Sequence, residues 1–246
     1  MSTLYTMKNF NNLADFYNKS LLWPYRKMLE LPTLKKWLGE DVLVRILDYG
    51  CGGGAISRWL VSQGYKHVVG YDTSIGMIRS AQEHEARTPK NIQYVNEMSS
   101  IPDYSFDVVI AIYLLSYTTN KVHLLALLQS MYQALAPQGK IIAIALSPNF
   151  STYPEYYRPY GFRLIAQDTL HDGSQVALNI CEASTDITLP TYYYSLETLK
   201  STFEQAGFSN VTTLPYSPSF SNNDPALLNY LQCPHCIIIT AHKKTP

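Results

Sequence analysis

Apolar residues follow a different rhythm before and after about residue 41. In the first 40 residues they recur at three- to four-residue spacing, which predicts helix. From residue 41 onward, short runs rich in β-branched residues alternate with segments of helical periodicity, ending near residue 146. Strands that alternate with helices in this way indicate a parallel, doubly wound sheet. The strands predicted for this part of the chain are 42–47, 67–71, 92–95, 106–112 and 140–146.

The last hundred residues carry a different pattern. Three β-rich runs follow one another, and His171-Asp172-Gly173-Ser174 separates the first two. Asp-Gly between such runs favours a hairpin. A helix at 196–206 and strands at 211–214 and 237–241 then complete the main sheet. The pattern predicts a Rossmann-like, mostly parallel α/β fold with a helical cap at 1–40 and a main domain at 41–246. A small antiparallel insertion is expected at about 160–194, built from strands 162–170, 176–181 and 187–194.

Composition narrows the class of protein. The chain has 246 residues, 46% of them hydrophobic, and equal numbers of basic and acidic residues. Proteins that bind nucleic acid usually carry a basic surplus, so nucleic acid is not the expected partner. No apolar stretch approaches the length of about 20 residues that is needed to span a membrane. A membrane is therefore not an expected partner. Four scattered cysteines do not form a disulfide framework, and a cytoplasmic location is expected.

The segment that carries the chemistry lies at the end of the first predicted strand. A glycine-rich loop, Gly50 to Gly54, connects this strand to the following helix. Ligands of open parallel sheets bind at this place, beyond the carboxyl ends of the strands. Asp72 ends the second strand, where a carboxylate can accept hydrogen bonds from both hydroxyls of a ribose. Asp48 directly precedes the glycines and would repel a pyrophosphate, but it would attract the ammonium group of S-adenosylmethionine. The cationic ligand is therefore favoured over a dinucleotide.

Four consecutive segments resemble the motifs of class I S-adenosylmethionine-dependent methyltransferases. They read LDYGCGGG, GYDTSIGMIRSAQ, NIQYVNEMSSIPDYSFDVVIA and LAPQGKIIAIAL, and the resemblance covers roughly residues 10 to 215. It implies that the glycine loop passes along the methionine part of S-adenosylmethionine and that Asp72 holds its ribose. Met77 would pack near the adenine, and Tyr17 would help to close the site.

Two further residues are implied where family members often have Gly-Asp-Ala. Glu97 would accept a hydrogen bond from the adenine amino group and Met98 would offer its backbone amide, although Glu97 is one methylene longer than the family's aspartate. The residues expected to bind S-adenosylmethionine are Tyr17, Asp48, Gly50, Cys51, Gly52, Asp72, Thr73, Met77, Glu97, Met98 and Ala111.

A narrower resemblance concerns the methyl acceptor. The phrases YLLSY at 113–117 and RPYGFR at 158–163, with the antiparallel insertion, are similar to toxoflavin-type N-methyltransferases. The similarity favours a small heteroaromatic or polar metabolite, methylated on nitrogen or oxygen. Tyr113, Tyr157 and Tyr160 are the residues expected to contact it. No metal is required, and the sequence does not rank the candidate bases, which are His123, His171, Glu155 and the tyrosines between 153 and 160.

Two other functions stay open at this point. The pattern Gly50-x-Gly52-x-x-Ala55 also fits the fingerprint of a dinucleotide-dependent oxidoreductase. A non-catalytic relative that binds the cofactor without transferring a methyl group is the second, because the transfer needs no signature side chain. The sequence leaves the oligomeric state open, and a homodimer is one of the states that it allows.

Overall fold

A computed structural model describes residues 19–101, 105–182, 185–219 and 224–244. The helix predicted for the first residues lies mostly outside this part of the chain, and so does Tyr17. From residue 26 the chain is helical. Arg26–Glu30 forms one turn of π-helix, and α1 (Leu31–Leu38) continues directly from it.

The main sheet has seven strands, and they occupy positions close to those predicted. Its members are β1 (Arg45–Tyr49), β2 (His67–Tyr71), β3 (Gln93–Val95), β4 (Phe106–Ile112), β5 (Leu135–Leu146), β9 (Phe208–Leu214) and β10 (Cys236–Lys243). They are ordered β3-β2-β1-β4-β5-β10-β9, and β10 runs antiparallel to both of its neighbours. The predicted Rossmann-like, mostly parallel sheet is confirmed.

A separate antiparallel sheet forms the predicted insertion. It contains β6 (Phe162–Ile165), β7 (Gln175–Glu182) and β8 (Thr185–Tyr192), paired in chain order. The first of these strands is shorter than predicted, because it ends at Ile165 and a nine-residue connection leads to β7.

Within the described residues, five further α-helices follow α1. They are α2 (Ala55–Ser62), α3 (Ile75–Arg87), α4 (Lys121–Ala134), α5 (Leu196–Gln205) and α6 (Pro225–Gln232). The first turns of α3, α4, α5 and α6 are capped by Ser74, Asn120, Ser195 and Asp224, whose side-chain oxygens accept backbone N–H bonds. The sequence analysis did not predict α6.

Both faces of the main sheet are covered by apolar side chains, as a parallel sheet requires. Adjacent residues of β1 point to opposite faces: Leu47 packs towards α4 and α5, and Ile46 packs towards α1 and α2. No helix in the described ranges is long and apolar enough to cross a membrane.

The antiparallel sheet is tied to the main domain by the connection between β6 and β7. Asp172 accepts hydrogen bonds from the Ser195 backbone N–H, 2.6 Å away, and from the Thr198 hydroxyl at the start of α5. It also pairs with Lys121 of α4 at 2.8 Å. Burial alone would raise the pKa of Asp172, but these donors outweigh it and lower the pKa to about 2. The sheet is thereby anchored beside the carboxyl ends of the parallel strands.

Candidate active site

The glycine loop leaves β1 and turns sharply before α2. Its first two amides, those of Gly50 and Cys51, both donate to the Tyr71 carbonyl, at 2.7 and 2.9 Å. Gly54 has a φ of +77°, and a Cβ there would lie 2.5 Å from the hydroxyl oxygen of Tyr94. A side chain is therefore excluded at Gly54 by backbone conformation and by space.

Asp72 lies at the end of β2 and faces the same loop. One carboxylate oxygen accepts the Gly52 backbone N–H at 2.9 Å and the other accepts the Ser74 backbone N–H at 2.8 Å. An ionised carboxylate can accept about four hydrogen bonds. Capacity for two ligand hydroxyls therefore remains, which fits a ribose. Burial raises the pKa of Asp72, and the two backbone bonds oppose that rise.

Asp48 is almost fully buried, with 2% of its surface exposed. Its carboxyl accepts a hydrogen bond from the Ser57 hydroxyl at 2.6 Å. Burial is the largest influence on this group, and together with the negative charge of Asp72 it raises the pKa of Asp48 to about 7. A buried carboxyl of this kind gains most from a cationic ligand, because a nearby positive charge stabilises its ionised form.

These groups border a cavity of about 540 Å³, here called the main cavity. It lies at the carboxyl ends of β1, β2 and β4, where strand order changes direction and ligands of such sheets bind. Its volume falls in the range typical of small-molecule sites. Its lining residues are Leu21, Arg26, Asp48, Gly50, Cys51, Gly52, Ala55, Ile56, Asp72, Thr73, Ser74, Met77, Ile112, Tyr113, Leu114, Tyr117, Thr119, His123 and Tyr192.

A cluster of polar side chains, the buried Arg26 and Glu30 and the partly buried Tyr113, adjoins the main cavity, which Arg26 and Tyr113 line. Arg26 donates to Glu30 across the π-helical turn at 3.1 Å, and the Tyr113 hydroxyl donates to the other Glu30 oxygen at 2.5 Å. The Arg26 guanidinium lies 5.1 Å from the centre of the Tyr113 ring. Tyr113 has a φ of +64°, a conformation that costs a non-glycine residue about 1 to 3 kcal/mol. Strained residues and π-helical turns both concentrate at functional sites.

Most of the residues predicted to bind the cofactor are brought together here. Those that line the main cavity are Asp48, Gly50, Cys51, Gly52, Asp72, Thr73 and Met77. Tyr113, predicted to contact the acceptor, lines it as well. Ala111 is fully buried in β4, paired with Ala143 of β5, and does not line the cavity. Glu97 is exposed, and Met98 is partly buried and packs against the hydrophobic core. Neither is a lining residue, and their binding roles stay predictions.

Tyr157 and Tyr160 have the geometry of packing residues. Tyr157 is fully buried, and its hydroxyl accepts the Ser151 N–H at 2.9 Å and donates to the Cys233 carbonyl at 3.0 Å. The Tyr160 hydroxyl donates to the Ala226 carbonyl at 2.7 Å. Neither ring lines the main cavity, and a contact with the acceptor stays a prediction for both.

Replacing Tyr157 with phenylalanine is expected to lower the melting temperature by several degrees. The substitution leaves two partly buried backbone groups, the Ser151 N–H and the Cys233 carbonyl, without the hydroxyl, and full burial of an unsatisfied group would cost about 1 to 3 kcal/mol. The acceptor KM should stay within twofold of the wild type. Thermal unfolding and steady-state kinetics on the same sample test this. A raised KM at an unchanged melting temperature would show that the hydroxyl does contact the acceptor.

The structure adds lining residues that the sequence analysis did not name as site residues. Arg26, Tyr117, Thr119 and Tyr192 come from three separate segments, so no single local motif could identify them together. It also separates the candidate bases. His171 is exposed on the connection before β7, and Glu155 is paired with Arg158 and Arg163. His123 is exposed as well, but it lines the main cavity.

Comparison with known proteins defines the class. A family described as a methyltransferase domain matches residues 8–213, and the chain belongs to this family. Its methyl donor is S-adenosylmethionine, which fits the loop and the two carboxylates described above. The family match favours methyl transfer over the dinucleotide-dependent alternative. No toxoflavin-type protein is among the relatives described here, so that narrower resemblance stays a prediction.

Particular relatives show how far the likeness extends. A ribosomal protein L11 methyltransferase of Hydrogenovibrio crunogenus is 30% identical over 57% of this chain and 47% of its own length, so the chain matches about half of that relative. A ubiquinone biosynthesis O-methyltransferase of Coxiella burnetii is 27% identical over 69% of this chain and 74% of its own. An S-adenosylmethionine-dependent methyltransferase from Mesorhizobium loti superposes with a TM-score of 0.60 at 22% identity, covering 87% of this chain and 97% of that one. That last likeness concerns the fold.

Proposed function

We propose that the protein transfers the methyl group of S-adenosylmethionine to an oxygen or nitrogen atom of a small metabolite. One observation carries the proposal: a single cavity is lined by the glycine loop, Asp48 and Asp72 and also by Tyr113 and His123. The glycine loop and the two carboxylates suit the methyl donor. Tyr113 and His123 offer an aromatic ring and an imidazole to an acceptor.

A small acceptor is favoured over a protein side chain. Tyr192, at the end of β8, lines the main cavity, so the anchored antiparallel sheet forms part of its wall. A wall of this kind restricts the room for a bulky polypeptide acceptor. The Coxiella relative is named as an O-methyltransferase of ubiquinone biosynthesis, which supports a metabolite as acceptor.

The chemistry asks the protein mainly for alignment. S-adenosylmethionine supplies an electrophilic methyl group when bound, so no nucleophilic side chain is needed. The residues of the cavity must hold the acceptor atom in line with that methyl group and exclude water. Alignment of this kind is worth up to about 7 to 11 kcal/mol in well-oriented systems.

His123 is the base that we assign to an acceptor that must lose a proton. Its Nδ1 lies 2.8 Å from the Thr119 hydroxyl oxygen. When Nδ1 carries the hydrogen and donates it to this oxygen, Nε2 is left unprotonated and can accept a proton. The bond to Thr119 holds the ring orientation; the hydroxyl can donate or accept, so the bond by itself does not select the tautomer.

Substituting His123 with asparagine is expected to lower kcat by about 100-fold or more, the usual contribution of a general base. The affinity for S-adenosylmethionine should stay within twofold, because His123 is not among the residues predicted to bind the methyl donor. His171→Asn, on the exposed connection before β7, is the matched control and should leave kcat unchanged. An unaltered kcat in His123→Asn would mean that the proton leaves by another route.

The acceptor class is tested with S-adenosylmethionine labelled in its methyl group. The purified protein is incubated with a small-molecule extract and, separately, with the protein fraction of the same cells. Label is expected in small organic molecules. Label found only in protein would refute the small acceptor, and no label in either fraction, with S-adenosylmethionine still bound, would identify a non-catalytic relative.

A further inference from the structure

A second, smaller cavity adjoins the main one beneath the antiparallel sheet. It has a volume of about 60 Å³ and is here called the side cavity. Arg26, Tyr113 and Tyr117 line both cavities, so the two cavities meet at these three residues. None of the residues predicted to bind the methyl donor, from Asp48 to Met77, lines the side cavity.

The roof of the side cavity is one face of the antiparallel sheet. Phe162 pairs with Ile180, and Leu164 pairs with Leu178, across β6 and β7. Because side chains alternate along a strand, all four point to the same side. Phe162, Leu164 and Ile180 are about 1% exposed. The roof is therefore an enclosed hydrocarbon surface.

Apart from the sheet, the lining of the side cavity includes one charged residue, Arg26, and also His235 and Cys236 at the start of β10. The His235 ring lies 2.6 Å from the Tyr230 hydroxyl, and burial, with a smaller contribution from the positive charge of Arg26, lowers its pKa to about 3. His235 is therefore neutral, and the guanidinium of Arg26 is engaged by Glu30. A cationic ligand group would lose its hydration here without a counter-charge in the lining, and an anionic one would have to compete with Glu30 for Arg26.

Stacked rings hold the walls apart. The Phe162 ring stacks on Trp23 with centroids 6.2 Å apart and on Tyr157 with centroids 5.3 Å apart. The hydroxyl bonds of Tyr157 fix that ring in turn. Side chains supported in this way do not relax easily to fill a void, so the space persists.

We propose that the side cavity binds a short, uncharged alkyl substituent of the methyl acceptor, while the acceptor ring and the atom to be methylated lie in the main cavity. The volume sets the size, because an apolar cavity of about 150 Å³ accommodates benzene and this one is less than half as large. The substituent therefore has about two to four carbon atoms. This inference rests on the proposed function, since it concerns the acceptor of that reaction.

The test uses the full chain saturated with S-adenosylhomocysteine and a series of 4-alkylphenols as probes. Phenol and its methyl, ethyl, isopropyl and hexyl derivatives are titrated by calorimetry. Each buried methylene contributes about 0.8 kcal/mol, so affinity should rise about fourfold per carbon as far as isopropyl. It should not rise further at hexyl.

Three variants locate the effect. Ile180→Phe fills the side cavity and should make the affinity independent of the alkyl group. Leu178→Ala enlarges it and should extend the gain towards hexyl. Ile165→Phe places the same ring on β6 at a side chain that is 48% exposed, and should behave as the wild type. Melting temperatures accompany every titration, and Leu178→Ala decides the matter where Ile180→Phe does not fold.

The outcomes separate this inference from the proposed function. A flat series in the wild type, absence of binding by every phenol, or the same chain-length profile in all variants would show that the side cavity is only a packing void. Failure of the proposed function would show instead as the absence of methyl transfer to any small molecule. Even without methyl transfer, a dependence of affinity on alkyl length that shifts in Ile180→Phe and Leu178→Ala would show that the side cavity binds the alkyl group.

Discussion

Replacing Asp72 with alanine is expected to weaken binding of S-adenosylmethionine by at least tenfold. The loss should reach 100-fold or more if the Asp72 carboxylate holds both ribose hydroxyls and not just one. Each hydrogen bond to a charged group contributes about 1.5 to 3 kcal/mol, and about 1.4 kcal/mol corresponds to a factor of ten. The Asp72 carboxylate also holds the Gly52 amide at 2.9 Å, so its loss loosens the glycine loop as well. Isothermal titration calorimetry measures the change.

Two further variants define the cause. Asp72→Asn keeps one acceptor oxygen and should lose less affinity than the alanine variant. Asp107→Ala removes a carboxylate from a partly exposed ion pair with Arg45, away from the main cavity, and should leave affinity unchanged. Affinity within twofold of the wild type in Asp72→Ala would mean that Asp72 only supports the turn before α3.

The affinity for S-adenosylmethionine is also expected to fall steeply below pH 7. Burial raises the pKa of Asp48 from its ordinary value to about 7, so this carboxyl is progressively protonated as the pH falls through that value. The cationic ligand needs the ionised form. Binding should therefore weaken by nearly tenfold per pH unit, reaching about 100-fold at pH 5.

Adenosine provides the matched control ligand, because it has the ribose and adenine but no ammonium group. The loss of adenosine affinity at low pH measures the protonation of groups other than Asp48, including Asp72. Any larger loss for S-adenosylmethionine is then due to the protonation of Asp48. In Asp48→Asn that additional part should disappear, with weaker binding at every pH. Identical pH profiles for the two ligands in the wild type would show that Asp48 does not interact with the ammonium group.

The parallel part of the fold could be predicted from the sequence because its signals are local. The β2 and β4 bounds agree with the prediction, since each is a short apolar run between clear breaks. The end of α4 was harder. The helix ends at Ala134 and β5 already begins at Leu135, which pairs with Phe106, so the strand starts five residues before the predicted 140 and contains Pro137. An irregularity in that pairing accommodates the proline, and a tertiary contact of this kind leaves no local signal.

The donor half of the site could be predicted for a similar reason. Asp48, the glycine loop and Asp72 lie at the ends of two adjacent strands, so a correct strand assignment already brings them together. In the acceptor half, the sequence analysis named Tyr113 and, among the candidate bases, His123, but neither Arg26 nor Tyr192. These residues meet because the π-helical turn, the segment after β4 and the antiparallel sheet pack together. Arg26 and Glu30 lie at helical i, i+4 spacing, which indicates an ion pair along a helix but not its burial beside a cavity.

The most direct test of the account is a calorimetric titration of the wild-type chain at pH 8 with S-adenosylmethionine, S-adenosylhomocysteine and NAD. The glycine loop between Asp48 and Asp72 predicts that the first two bind at micromolar concentrations and that NAD, whose pyrophosphate would face Asp48, does not bind. Binding of NAD without binding of either adenosyl compound would contradict it.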